Sequence, residues 1–133
     1  MPLAASLASL PKCAKLLKAA DYNHVFDKSV RSSDRYFTVL ARPNMLLHAR
    51  LGMAFSKKRV KLAVTRNRLK RISRESFRLI QLKQPSGSQQ GQEKVNADYI
   101  ILAGAQCGKA TNQQLFYSLE QHWQQLNKKC AKF

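Results

Sequence analysis

Between Lys57 and Arg78 the chain sets ten cations against a single acid, Glu75, in 22 residues: Lys57, Lys58, Arg59, Lys61, Arg66, Arg68, Lys70, Arg71, Arg74 and Arg78. No Gly or Pro interrupts Leu62 to about Leu82, and the apolar positions Leu62, Leu69, Ile72, Phe77 and Ile80 recur with helical spacing. At about 100° per residue these positions, with Ser73 and Ser76, project to one side of a helix, while Arg66, Lys70, Arg74 and Arg78 run along its flank. Such a helix must lay one side on a core and turn the other to water or to an anion. The four flanking cations stand at successive i, i+4 positions, where like charges repel by about 0.2 to 0.5 kcal/mol per pair, so helix stability is not what they serve. Their row covers about 18 Å, some three nucleotide spacings, and Asn67, Arg68 and Arg71 widen it. Arginine predominates, and its planar fork matches phosphate better than an ammonium does. A merely solvated face normally mixes signs, which this one does not. A membrane-surface helix would need its apolar side free, whereas here that side is committed to a core.

The remaining chain supplies that core. Its 133 residues fit one domain, 1–133, and a hydrophobic content of 44% argues against wholesale disorder. Residues 1–12 read as a loose tail and 84–96, rich in Gln, Gly and Ser, as a flexible surface loop. A first helix is expected around Leu17, Tyr22, Val25 and Phe26, which could share one face. Between Arg31 and Asp34 the chain becomes polar. Tyr36 to Leu40 then forms a β-rich run that stops at Pro43-Asn44, and Arg50 to Ser56 alternates as a second strand, pairing antiparallel with the first. Tyr99 to Ala103 is a short continuous apolar run suited to the centre of a small sheet. A last helix begins near Thr111 or Asn112, either able to cap it, and buries Leu115, Leu119, Trp123 and Leu126.

Charge narrows the function. Lys and Arg number 24 against 7 acids, a net charge of +17, and the partner expected for so basic a small body is a polyanion. No apolar run approaches the roughly 20 residues that span a bilayer, and the N-terminus lacks a signal-peptide pattern, so a cytoplasmic protein without a membrane partner is expected. Cys13, Cys107 and Cys130 fit neither a disulfide framework nor a zinc spacing and read as packing residues. His24, His48 and His122 stand alone. There is no HExxH, no Walker loop and no paired ligand cluster, so no catalytic residue and no metal site is assigned to this chain. Composition alone would equally serve a general RNA-binding or ribosome-associated basic protein without a nuclease role.

The basic run carries more than composition. From Ser56 to Arg78, with Arg66-Asn67-Arg68, Lys70-Arg71 and Arg74 spaced as R-N-R-x-K-R-x-x-R, it closely resembles the motif of the bacterial ribonuclease P protein component. Phe55-Ser56-Lys57-Lys58 before it and Asp98 to Ala103 after it stand in the family's order, and the similarity extends from about Leu16 to Leu126. Lys61 and Ser29 stand where many members have Gly, and Gly104 where many have Arg. The resemblance implies an α/β (α+β) two-layer sandwich of order αβββαβα, with a small mixed sheet and the Arg-rich helix in a left-handed crossover between parallel strands, against the usual hand. It implies a subunit of an endoribonuclease (a hydrolase) that binds the ribonuclease P RNA subunit and the 5′ leader of precursor tRNA in tRNA processing. The RNA would perform the Mg2+-dependent hydrolysis, with no DNA partner. The expected RNA contacts are Lys57, Lys58, Arg59, Arg66, Asn67, Arg68, Lys70, Arg71, Arg74 and Arg78. For a leader cleft, where bases need flat side chains, the candidates are Tyr22, Phe26, Tyr36 and Phe37. Core packing competes with the cleft evenly for Phe26 and Phe37, and the Tyr36 hydroxyl favours an edge. Strand alternation would keep Tyr36 and Phe37 on opposite sides.

Overall fold

The computed structural model describes residues 14–46, 48–83 and 96–131. The expected tail, Cys13 and all of the expected loop but Asn96 lie outside them. In chain order the elements are α1 (Ala19–Asp27), β1 (Val30–Ser33), β2 (Phe37–Pro43), β3 (Arg50–Ala54), α2 (Ala63–Lys83), β4 (Ala97–Ala103), a short 3-10 turn (Cys107–Lys109) and α3 (Asn112–Ala131).

The four strands form one mixed sheet in the order β1-β2-β4-β3. β4 runs antiparallel to β2, with Val39 opposite Ile101, and parallel to β3, with Leu51 opposite Tyr99. Here one sequence expectation fails. β2 and β3 are not neighbours, because β4, almost wholly buried, takes the centre between them. Burying a strand on both faces rewards the most apolar segment whatever its place in the chain. The polar stretch after the first helix contributes the edge strand β1, paired from Val30–Ala41 to Ser33–Thr38. Its alternate residues are exposed, so it needs no apolar run.

One face of the sheet carries the main core, and α2 and α3 close over it. Phe37, Val39, Leu51, Tyr99 and Ile101 meet Leu69, Ile72, Phe77, Leu115, Leu119, Trp123 and Leu126. Phe77, Tyr99 and Trp123 make a three-ring cluster with centroids 5.2 to 6.0 Å apart, all edge-on. The Trp123 indole N–H donates to Ser76 Oγ at 2.9 Å, which explains a serine on the apolar side of α2. Leu62, expected on that side, instead precedes the helix and is exposed. Thr111 caps α3 reciprocally: Gln114 N donates to Thr111 Oγ1 at 3.1 Å and Thr111 N to Gln114 Oε1 at 2.9 Å. Cys107 and Cys130 are buried thiols, and burial pushes Cys130 up to about 11.

The opposite face holds a smaller cluster of Leu16, Val25 and Ile100, with Tyr22, Leu40 and Leu102 packed on it, and α1 lies there. The expected shared face of α1 is therefore only partly formed. Val25 is sealed, Tyr22 half-buried and Phe26 largely exposed, while Leu17 is outside the helix and exposed. Neither Lys61 nor Ser29 adopts the positive φ a glycine would permit; among the described residues other than glycine, Met45 alone does.

A buried ion pair fixes α1 against the sheet. Asp98 on β4 accepts from Arg50 Nε (2.8 Å) and Nη2 (2.6 Å) on β3 and from Asn44 Nδ2 (2.8 Å) in the β2–β3 loop. Arg50 Nη1 also stands 3.6 Å from Asp21 on α1. The hydrogen bond to Asp98, with the charges of Asp98 and Asp21, holds the Arg50 guanidinium above its usual range against the effect of burial.

Candidate nucleic-acid interface

Packing one side of α2 on the core forces its cations outward, but not in one direction. The first turn of α2 carries no acid, so the positive end of the helix dipole meets further positive charge, a repulsion of about 0.3 to 1 kcal/mol per group. Arg66 is held back by the chain itself: its Nη1 donates to the carbonyls of Val60 at 2.7 Å and Lys61 at 3.1 Å. Arg68 turns toward α3, donating from Nε to Asn112 Oδ1 at 2.8 Å and from Nη2 to the Ala110 carbonyl at 2.6 Å. Arg71 is well exposed and pairs with Glu75 at 3.2 Å, an i, i+4 contact worth about 0.3 to 0.5 kcal/mol. Asn67 is exposed. Arg78 is half-buried, with Nη1 buried and unbonded among the described residues.

Lys57, Lys58 and Arg59 project from an exposed turn closed by Arg59 N and Val60 N on the Ser56 carbonyl, at 3.2 and 2.9 Å, and anchored by buried Val60. Burial pushes the Cys107 thiol up, while two backbone hydrogen bonds and the nearby charges of Arg59 and Arg68 oppose it. A Cβ on Gly108 would stand 3.6 Å from Thr65 Cγ2, and Arg68 donates to the Ala110 carbonyl, so the start of α2 lies beside the Cys107–Lys109 turn, with the 57–59 turn leading into the helix, a basic patch at one end of it.

Lys70 and Arg74 form a second surface. Neither has an ion pair or hydrogen bond among the described residues. They stand over the outer edge of β3 and, with Lys15, Leu16, Leu17, Tyr22, Leu51 and Met53, line a groove of about 210 Å³. The segment before α1 completes it by running along β3, where Leu16 N donates to the Leu51 carbonyl at 3.0 Å. Cations over an apolar, partly aromatic floor suit a single strand, whose phosphates and bases demand opposite environments.

Of the four aromatic candidates the groove takes one. Tyr22 lines it. Phe26 is on the same helix, 49% exposed, but not in the groove. Phe37 is fully buried, its ring 6.4 Å from Phe55, and offers no face to a base. Tyr36 precedes the strand and packs half-buried on the same main core, so alternation does not separate it from Phe37. Both lie across the sheet from Tyr22. The groove also contains Lys15, Leu51 and Met53, which the sequence reading missed. Finding Lys15 needs the knowledge that its segment pairs with β3, and nothing in its own neighbourhood signals that.

Among the described residues no three His, Cys, Asp or Glu side chains gather as a metal site, and no helix is long and apolar enough to cross a membrane. Buried His122 is hydrogen-bonded through Nδ1 to Ser32 Oγ at 2.6 Å, and its Nε2 lies 3.3 Å from Asp34, which also accepts from Ser118 Oγ at 2.6 Å. This network ties β1 to α3.

The Ribonuclease P family profile matches residues 10–127. The chain is 40% identical over 121 residues to the ribonuclease P protein component of Methylococcus capsulatus, covering 91% of this chain and 87% of that one. It is 44% identical over 109 residues to that of Histophilus somni, covering 82% and 83%. Among solved structures, the Staphylococcus aureus RNase P protein superposes with a TM-score of 0.70 at 29% identity, covering 85% of this chain and 94% of that one. With the basic helix, the mixed sheet and a match over most of its length, the chain belongs to the ribonuclease P protein component family.

Proposed function

We propose that this chain binds the ribonuclease P RNA subunit through the start of α2 and the 57–59 turn, and holds the 5′ leader of precursor tRNA in the groove beside β3. The observation that carries this reading is the convergence of Lys70 and Arg74 from α2 with Tyr22 from α1 over one strand edge. A leader leaving the tRNA body is single-stranded. Its phosphates are drawn by Lys15, Lys70 and Arg74, and a base can lie on Tyr22. Longer-range attraction comes from the net charge of +17.

In this reading the protein is the accessory part of a cytoplasmic endoribonuclease. The RNA subunit supplies the Mg2+-dependent hydrolysis, and the protein supplies substrate affinity and screens repulsion between the two RNAs. Family membership favours it over a general RNA-binding or ribosome-associated role. The test is reconstitution with the cognate RNA subunit at low Mg2+. Adding protein is expected to raise cleavage of precursor tRNA and to tighten its binding over mature tRNA. Unchanged cleavage and affinity, or equal binding to unrelated RNAs, would overturn the proposal.

A further inference from the structure

Tyr22 is held in the groove by a residue that makes no contact with RNA in the reading above. Gly52 sits in β3 opposite Ile100 and is buried on the sheet face covered by α1. A Cβ built on it would stand 2.8 Å from Tyr22 Cζ and Oη and 2.9 Å from Cε2, so the phenol lies directly on the glycine backbone. One bond pins the ring there: Met53 N donates to Tyr22 Oη at 3.2 Å. β3 is an edge strand, and this bond, with the one from Leu16 N to the Leu51 carbonyl, satisfies part of its outer rim.

We infer that Gly52 is a positioning residue for leader recognition: the missing side chain lets the Tyr22 ring pack directly against β3, in the groove that Lys70 and Arg74 also line. This rests on the proposed role of the groove. A platform fixed before binding spares the ordering cost a mobile ring would impose. Alanine at 52 meets the far end of a side chain that can swing away, so the substitution displaces the ring instead of the strand.

The experiment uses the reconstituted holoenzyme with precursor and mature tRNA, comparing wild type, Gly52→Ala, Tyr22→Ala and the double variant. Stacking on one ring carries about 5- to 150-fold in affinity. Gly52→Ala is expected to lower the preference for leader-bearing substrate by about tenfold, near the Tyr22→Ala loss, and to leave affinity for mature tRNA and for the RNA subunit unchanged. In the Tyr22→Ala background the Gly52 effect should vanish. Tyr22→Phe supplies a check that does not depend on folding of Gly52→Ala: it keeps the ring but removes the tether to Met53, and a severalfold loss of preference is expected. A normal preference in Gly52→Ala or Tyr22→Phe, or additive losses in the double variant, overturns the inference and leaves the leader groove standing if Tyr22→Ala is defective. A normal preference in Tyr22→Ala overturns both.

Discussion

Arg68 lies in the heart of the basic motif, yet its bonds predict that the free protein depends on it. The guanidinium joins the second turn of α2 to the entry of α3 through Asn112 Oδ1 and the Ala110 carbonyl. Asn112 is exposed and can be replaced by water, so that bond contributes between nothing and about 1 kcal/mol. Ala110 is only 6% exposed, and stripping a charged donor from its carbonyl costs about 1.5 to 3 kcal/mol. Arg68→Ala should thus destabilise the RNA-free protein by about 2 to 3 kcal/mol, a fall in Tm of about 6 to 12 °C for a chain of this size. Arg68→Lys keeps the charge but loses the fork, and should fall between. The control is Lys70→Ala, two residues away, which breaks no bond and should stay within about 0.5 kcal/mol of wild type. Thermal unfolding followed by circular dichroism at about 0.15 M salt, where repulsion beyond about 8 Å is screened, separates these outcomes. If Arg68→Ala melts with the wild type while its salt dependence of RNA binding drops by about one counterion, the side chain serves RNA and not the fold, and the reasoning from its bonds is refuted.

Other consequences follow from the same distances. Lys70→Ala and Arg74→Ala should each lower the slope of log affinity against log salt for leader-bearing substrate by about 0.7, the single-strand value, which titration of precursor-tRNA binding from low to moderate salt would read. Burial alone would raise the Asp34 carboxyl, but hydrogen bonds from Ser118, Phe37 N and Tyr36 N and the neighbouring His122 outweigh it and hold the group below its ordinary value of 3.8. A depressed carboxylate contributes stability that is present above its unfolded value and is lost as pH falls through the folded one. Asp34→Asn should accordingly lower Tm at pH 7 and flatten the acid limb of the Tm profile below about pH 4; an unchanged acid limb would show that Asp34 is not paired as described. Gly104→Ala should cost about 1 to 3 kcal/mol in denaturant melts, because its Cβ would fall 2.6 Å from the Tyr36 carbonyl carbon and 2.7 Å from the Arg35 carbonyl oxygen, backbone atoms that cannot rotate aside.

The parts of the fold legible in the sequence are those whose environment is settled by their own spacing. Leu69, Ile72 and Phe77, and likewise Leu115, Leu119, Trp123 and Leu126, are buried because any helix through them presents one stripe. β4 announces itself by an apolar run that only a sheet centre accommodates. Strand pairing was not legible, since whether β2 meets β3 or β4 depends on where a segment almost fifty residues downstream inserts. Nor was β1: VRSS is polar because an edge strand buries one side at most, and that is also the composition of a turn.

The site divides along the same line. That α2 bears cations was plain from counting, and which of them face the groove follows from the helix repeat, since Lys70 and Arg74 are one turn apart. What Arg66 and Arg68 do was hidden because three of their four acceptors are main-chain carbonyls, which every residue offers and no sequence marks. Tyr22, Phe26, Tyr36 and Phe37 are interchangeable as flat rings on paper, and only tertiary placement leaves one of them in the groove with those two cations. A basic motif of this kind therefore mixes two jobs within nine residues: guanidiniums at its start brace the helix against its neighbours, and cations one turn further on line the groove with no partner among the described residues. The mixture is physically reasonable. A helix whose flank repels itself needs internal acceptors for some of that charge, and holding its first turns against their neighbours keeps Lys70 and Arg74 at the groove beside β3.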